Sequence, residues 1–130
     1  MAKGFLLDTH ALIWLTYEPE RLSASVRAEL ADTDSPVFVS PVSAMEIATK
    51  YRLRKLDFAE RLAINFIAEV ATLGFSHLDL TAAHGQRGGN LAIPHQDPFD
   101  RLLIAQAQIE QLRFVSNEVR FDTYGVLRLW

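Results

Sequence analysis

The feature that most constrains this chain is an alternation. Short apolar runs rich in β-branched and aromatic residues are each followed by a stretch of helical periodicity. Gly4 to Leu7 and Val37-Phe38-Val39 read as buried strands, Phe75 to Leu78 and Phe114-Val115-Ser116 as further strands, and Val126 to Trp130 as a candidate last one. Between them, Ala11 to Tyr17 is helical, and Ser23 caps a helix reaching about Ala31. Ser40-Pro41 gives an N-cap and a first-turn proline for a helix to about Leu53. Phe58, Leu62, Phe66, Val70 and Leu73 recur at helical spacing up to a stop at Gly74. Thr81 caps a short helix predicted to stop in Gly88-Gly89. Asp97-Pro98 then opens a helix whose Phe99, Leu102, Leu103, Ile104, Ala105 and Ala107 are apolar nearly all round, as a buried helix requires. Strands alternating with helices imply an α/β fold, a three-layer α/β/α sandwich around a central, mainly parallel sheet. With 130 residues and no repeat, linker or low-complexity segment, the expected organisation is one domain, 1–130.

Ligands of such sheets bind outside the carboxyl ends of the strands. Three predicted strands end near an acid: Asp8 directly, Glu46 about one helical turn beyond Val39, and Glu118 just past Val115. Each acid has a competing structural role. Asp8 can cap the helix that follows, although a carboxylate at a buried strand end is costly unless paired or metal-bound. Glu46 has capping-box spacing from Ser43 and ion-pair spacing to Lys50, and of the two the ion pair is the stronger alternative. Asp97 reads as the N-cap ahead of Pro98. Asp100 is harder to explain structurally. It shares a helix face with Leu103, Ile104 and Ala107, and an acid on an inward face wants a cation or several donors. Its first-turn position lets the helix dipole help keep it ionised. Glu118 lies in a polar turn where a solvated acid is the simpler reading, and Asn117 is a turn residue or a neutral companion ligand. Asp79 belongs to a loop before the Thr81 cap.

Several chemistries are excluded. The chain has no cysteine, so it has no disulfide framework, thiolate site or cysteine nucleophile, which is compatible with a cytoplasmic location. Its opening apolar run, broken by Asp8, is too short for a signal peptide, and no stretch has the length of a membrane span. His10, His77, His84 and His95 show no zinc spacing, and there is no Gly-rich phosphate loop or G-x-S-x-G. A net charge of −3 gives no bulk attraction to nucleic acid. The one basic concentration, Lys50-Tyr51-Arg52-Leu53-Arg54-Lys55, suits a solvated helix end as well as a phosphate patch. What remains is oxygen chemistry, and carboxylate ligands suit Mg²⁺ or Mn²⁺.

Three blocks in order resemble the PIN-domain nucleases, and within them the VapC-type toxins. They are Leu6-Leu7-Asp8-Thr9-His10-Ala11, then Ser40-Pro41-Val42-Ser43-Ala44-Met45-Glu46-Ile47, then the run His95-Gln96-Asp97-Pro98-Phe99-Asp100-Arg101 and on to Ala107. The likeness continues through Phe114-Val115-Ser116-Asn117-Glu118 and Phe121 to Val126 and so spans nearly the whole chain. The resemblance implies a PIN-like fold and places Asp8, Glu46 and Asp100 at the positions of the metal-binding, catalytic acids. Glu118 falls near a fourth family acid, usually Asp. Thr9 matches the hydroxyl beside the first acid, while His10 stands where many relatives have Asn, and Ser116 precedes the fourth-acid turn. The implied activity is hydrolysis of RNA phosphodiesters with one or two Mg²⁺ ions. Implied partners are an RNA substrate, a second copy of the chain and a cognate antitoxin, the last expected around the apolar helices from Met45 to Leu73.

Rival folds with acidic pockets fail on particular residues. A receiver domain needs an acid pair after its first strand and a late lysine, but lysine occurs only at Lys3, Lys50 and Lys55. A haloacid-dehalogenase-type phosphatase needs Asp-x-Asp, and the third position here is His10. A catalytically silent PIN relative that only binds a partner remains the alternative.

Overall fold

Five short strands, β1 (Phe5–Leu7), β2 (Val37–Val39), β3 (Ser76–His77), β4 (Arg113–Val115) and β5 (Leu127–Leu129), pair in the order β3-β2-β1-β4-β5. Every pairing is parallel, with Phe5 opposite both Val37 and Arg113, and Leu7 opposite Val115. The computed structural model describes residues 3–32 and 34–130; Met1 and Ala2, which open the apolar run discussed above, lie outside the described residues.

Alternation along the strands builds two cores, one on each face of the sheet. Phe5, Leu7, Val37, Val39 and Val115 pack with residues of α1 (Thr9–Tyr17), α2 (Ala24–Ala31), α3 (Pro41–Arg52), α4 (Glu60–Ile64) and α5 (Phe66–Leu73). Leu6, Phe38 and Phe114 face the opposite way, onto Leu103, Ile104 and Ala107 of α7 (Pro98–Glu110), against which α6 (Ala82–Asn90) also packs. This is the expected three-layer sandwich. The chain runs outward from β1 to β2 and β3, then returns across the sheet to β4 on the other side of β1. The order of connection therefore reverses between β1 and β4, which is where open parallel sheets form their ligand crevice.

Two expectations need correction. The periodic stretch from Phe58 to Leu73 is not continuous helix. Asn65 takes a non-helical φ of −123° and ψ of 44° and divides it into α4 and α5, so Leu62 and Val70 reach the same core from separate short helices. Phe58 lies ahead of both and meets Tyr17 edge-on, with ring centroids 5.3 Å apart. The stop at Gly74 is as expected, in the left-handed conformation at φ 76°. The second correction is at Gly88-Gly89, where α6 does not stop but continues to Asn90. Gly88 serves packing there: a Cβ on it would lie 3.1 Å from the Arg101 carbonyl oxygen, so its bareness lets α6 and α7 approach. Among the described residues no helix is long and apolar enough to cross a membrane.

Candidate active site

Asp8 is placed by the strand it ends. Its backbone N–H donates to the Val115 carbonyl at 3.0 Å, fixing it at the crevice between β1 and β4. Its Oδ1 accepts from the Ala11 N–H at 2.7 Å, so it does cap α1. The cap does not exhaust its role. Asp8 is only 4% exposed, and burial pushes its carboxyl up to about 7. The Ser116 hydroxyl and the Ala11 amide oppose that rise, while the charges of Asp100 and Glu46 reinforce it. The carboxylates from β1, α3 and α7 thus lie within one another's field.

Glu46 arrives on α3, whose start is set by Ser40 as N-cap, its Oγ accepting from Val42 N–H at 3.0 Å, with Pro41 in the first turn. The helix is tied to the Asp8 segment by a buried hydroxyl pair, Thr9 Oγ1 to Ser43 Oγ at 3.0 Å. Glu46 Oε2 accepts from Lys50 Nζ at 2.7 Å, the ion pair its spacing suggested. Its other oxygen, Oε1, is buried with no hydrogen-bond partner. An unpaired oxygen on a buried carboxylate is costly, and a cation would satisfy it.

Asp100 sits in the first turn of α7. Asp97 caps that helix, its Oδ1 accepting from Phe99 N–H at 2.8 Å and Asp100 N–H at 3.1 Å. Leu103, Ile104 and Ala107 on the Asp100 face are buried as expected, while the Asp100 side chain keeps a quarter of its surface open to solvent. Burial raises its pKa, the hydrogen bond from His95 lowers it, and the charges of Asp97 and Glu46 raise it. His95 Nε2 stands 2.6 Å from Asp100 Oδ2. Sequence reasoning missed His95 because it weighed histidines only for zinc spacing. The available signal was its place just before a capped helix that carries an acid.

The remaining predicted site residues fall around this trio. Ser116 is buried at the end of β4, and its hydroxyl also accepts from Glu118 N–H at 3.1 Å. Thr9 is buried, Asn117 is exposed, and His10 is exposed with its ring 5.7 Å from that of Trp14. Glu118 is not brought into the trio. Its side chain is 42% exposed and pairs with Arg120 Nε at 3.4 Å.

The site can therefore offer hard oxygen ligands to a cation, with Lys50 the one ammonium paired into it among the described residues. Among the described residues no group of three or more acids and histidines already closes around one point as a finished metal cage. The buried unpaired oxygen of Glu46 and the raised pKa of Asp8 nonetheless both call for added positive charge, and all-oxygen donors suit Mg²⁺. In donor type, though not as a preformed cage, the described residues fit such an ion.

Comparison with known proteins agrees with this fold. The fold is similar to a chain of the VapBC2 complex from Rickettsia felis bound to a promoter DNA fragment, with a TM-score of 0.69 at 16% identity, covering 96% of each chain. A chain of the DNA-bound VapBC complex from Salmonella typhimurium matches at a TM-score of 0.67 and 20% identity, over 100% of this chain and 98% of the other. FitAcB from Neisseria gonorrhoeae matches at 0.65 and 19%, over 97% and 96%. At these identities the likeness establishes the fold. No functionally curated protein is close enough in sequence to match. The PIN domain family matches residues 5–127, a span that includes all three strand-end and helix-borne acids of the site, and the chain belongs to the PIN-domain family.

Proposed function

We propose that this chain is a Mg²⁺-dependent endoribonuclease, hydrolysing RNA phosphodiester bonds as the VapC-type toxin of a type II toxin–antitoxin pair in the cytoplasm. The observation that carries the reading is the meeting of Asp8, Glu46 and Asp100 at the β1/β4 crevice with Glu46 Oε1 buried and unpartnered. The three acids hold the ion, with Mn²⁺ as a substitute. An ion bound there supplies positive charge that activates water and offsets charge developing on the phosphate. The protein's own contribution is to orient: Ala11 N–H and Ser116 hold Asp8, Lys50 holds Glu46, and His95 holds Asp100. Glu118 stays outside this set, and Glu118→Gln tests whether it joins when metal binds.

A similar solved structure from Klebsiella pneumoniae is a toxin–antitoxin complex by name, and two others are VapBC complexes, which supports an antitoxin as partner. The reading assigns that partner to the apolar surface of α3, α4 and α5, where Met45, Ile64 and Ile67 are 64%, 65% and 74% exposed. It also assigns a homodimer. A second reading, partner binding without turnover, draws on the lack of a finished metal cage among the described residues. RNA cleavage by the wild type with Mg²⁺ and with EDTA, beside Asp8→Asn and Asp100→Asn, decides between them. Cleavage that needs Mg²⁺ and is lost in both variants is expected. Equal cleavage in the variants would refute the site, and a wild type that neither cleaves nor binds metal in calorimetry selects the partner-binding reading.

A further inference from the structure

The most unusual polar arrangement outside the acid trio surrounds Arg101, the residue after Asp100. Among the described residues its guanidinium pairs with no carboxylate. It donates instead to five backbone carbonyls of one segment: Nε to Gly88 at 2.9 Å, Nη1 to His95 at 2.7 Å and Ile93 at 3.4 Å, and Nη2 to Leu91 at 2.6 Å and Gly89 at 3.3 Å. These carbonyls belong to the last turn of α6 and to the irregular stretch that joins it to α7. Helix-end and loop carbonyls have no backbone partner of their own, and the planar five-donor fork of arginine is suited to gathering them. The closest of the five bonds are spread from Gly88 to His95, so the charge is used to set the path of that segment.

That segment ends on His95, which is fixed at three points. Its carbonyl is held by Arg101. Its ring stacks on Tyr124 at 6.3 Å between centroids and lies 5.9 Å from that of Phe121, and its Nε2 meets Asp100 Oδ2 at 2.6 Å. An ionised carboxylate only accepts, so Nε2–H donates. One helical turn therefore carries both the acid and the side chain that shapes the loop delivering a donor to it.

We infer that His95 and Arg101 are positioning residues of the acid site, Arg101 clamping the 88–95 segment so that His95 holds one oxygen of Asp100 and leaves the other for a cation. The inference rests on the metal-dependent reading above. Partners that orient metal ligands are worth on the order of 10- to 100-fold in metal affinity.

The test uses Mn²⁺ binding followed by electron paramagnetic resonance and calorimetry, with RNA-cleavage kinetics and hydrogen exchange of the metal-free protein. His95→Phe keeps a ring against Phe121 and Tyr124 but removes the donor, while His95→Gln restores an N–H. Expected for His95→Phe is Mn²⁺ affinity weakened about tenfold or more, with a Tm close to wild type and kcat falling more than KM changes. His95→Gln should recover most of the affinity. Arg101→Lys should speed exchange within residues 88–96 and weaken Mn²⁺ binding, and adding His95→Phe to it should cost little more, because the two act along one path. Unchanged Mn²⁺ affinity and kcat in His95→Phe, no recovery in His95→Gln, or multiplicative losses in the double variant would each overturn the inference. Should Arg101→Lys fail to fold, the His95 pair alone decides. A wild type that binds no Mn²⁺ sinks the metal reading and this inference together; binding unchanged by His95→Phe sinks this inference only.

Discussion

The metal-free protein should be stabilised by removing the charge of Asp8, even though the same change abolishes the proposed activity. The Asp8 carboxyl rises from an ordinary 3.8 to about 7, chiefly because it is buried. At 1.36 kcal/mol per pKa unit, a difference of about 3 corresponds to roughly 4 kcal/mol favouring the protonated form in the folded state. The pH window follows from these two values. Below 3.8 the group is protonated in both states and costs nothing. From 3.8 to about 7 the unfolded chain releases its proton while the folded one keeps it, so stability falls as pH rises. Above 7 the full cost is present. Asp8→Asn removes the titration but keeps an oxygen for the Ala11 N–H, so the cap of α1 survives.

The assay is thermal or urea denaturation of both proteins in EDTA at pH 4 and pH 8. The variant's advantage should grow from near zero at pH 4 to about 2–4 kcal/mol at pH 8, seen as a rise in Tm on the order of 10 °C. Mg²⁺ at pH 8 should then stabilise the wild type and not the variant, narrowing the gap. A variant less stable than wild type at pH 8 without metal, or a gap that does not change with pH, would refute the argument.

Two further outcomes test neighbouring parts of the structure. Lys50→Met leaves Glu46 buried without its ammonium, so the metal-free protein should lose about 1–3 kcal/mol in denaturation, and Mg²⁺ affinity by calorimetry should fall, because Glu46 Oε2 loses the donor that holds the side chain in place. The adjacent glycines of α6 should respond oppositely to alanine. Gly89 has open space around it, and Gly89→Ala should stabilise by about 0.5–1 kcal/mol, whereas Gly88→Ala meets the Arg101 backbone and should destabilise by about 1 kcal/mol.

What was legible in the sequence was local. Val37-Phe38-Val39 is a strand whatever surrounds it, and the caps at Ser23, Ser40, Thr81 and Asp97 all form because a cap is decided within about four residues. The Glu46–Lys50 pair was legible for the same reason. The break at Asn65 was not, because the spacing of Leu62, Phe66 and Val70 is the same whether one helix or two deliver them to the core. Gly88 misled because a glycine that ends a helix and one that admits a neighbouring helix look alike until the neighbour is known. His95 and Arg101 act through contacts across a loop, and no periodicity records which carbonyls a guanidinium will gather.

The competition between structural and functional roles at each acid has a simple resolution in the geometry of a carboxylate. A carboxylate has two oxygens, and in each of the three acids one of them is held by a donor from the protein. Asp8 Oδ1 takes the Ala11 N–H, Glu46 Oε2 takes Lys50 and Asp100 Oδ2 takes His95. The cap, the helical ion pair and the histidine contact therefore hold each acid in place, with Ser116 a further partner for Asp8. At Glu46 the second oxygen is buried and unpartnered. A purely structural acid would gain nothing from such an arrangement, since replacing Glu46 by an apolar residue would remove the unpaired oxygen without loss of a needed contact. Glu46→Gln separates the two accounts. It keeps the side chain's shape and one carbonyl oxygen, and it lowers the negative charge of the crevice. If the acid is there only to brace α3, metal-free stability and Mg²⁺ affinity should change together. If its free oxygen is a ligand, Mg²⁺ affinity should fall much further than any change in metal-free stability accounts for.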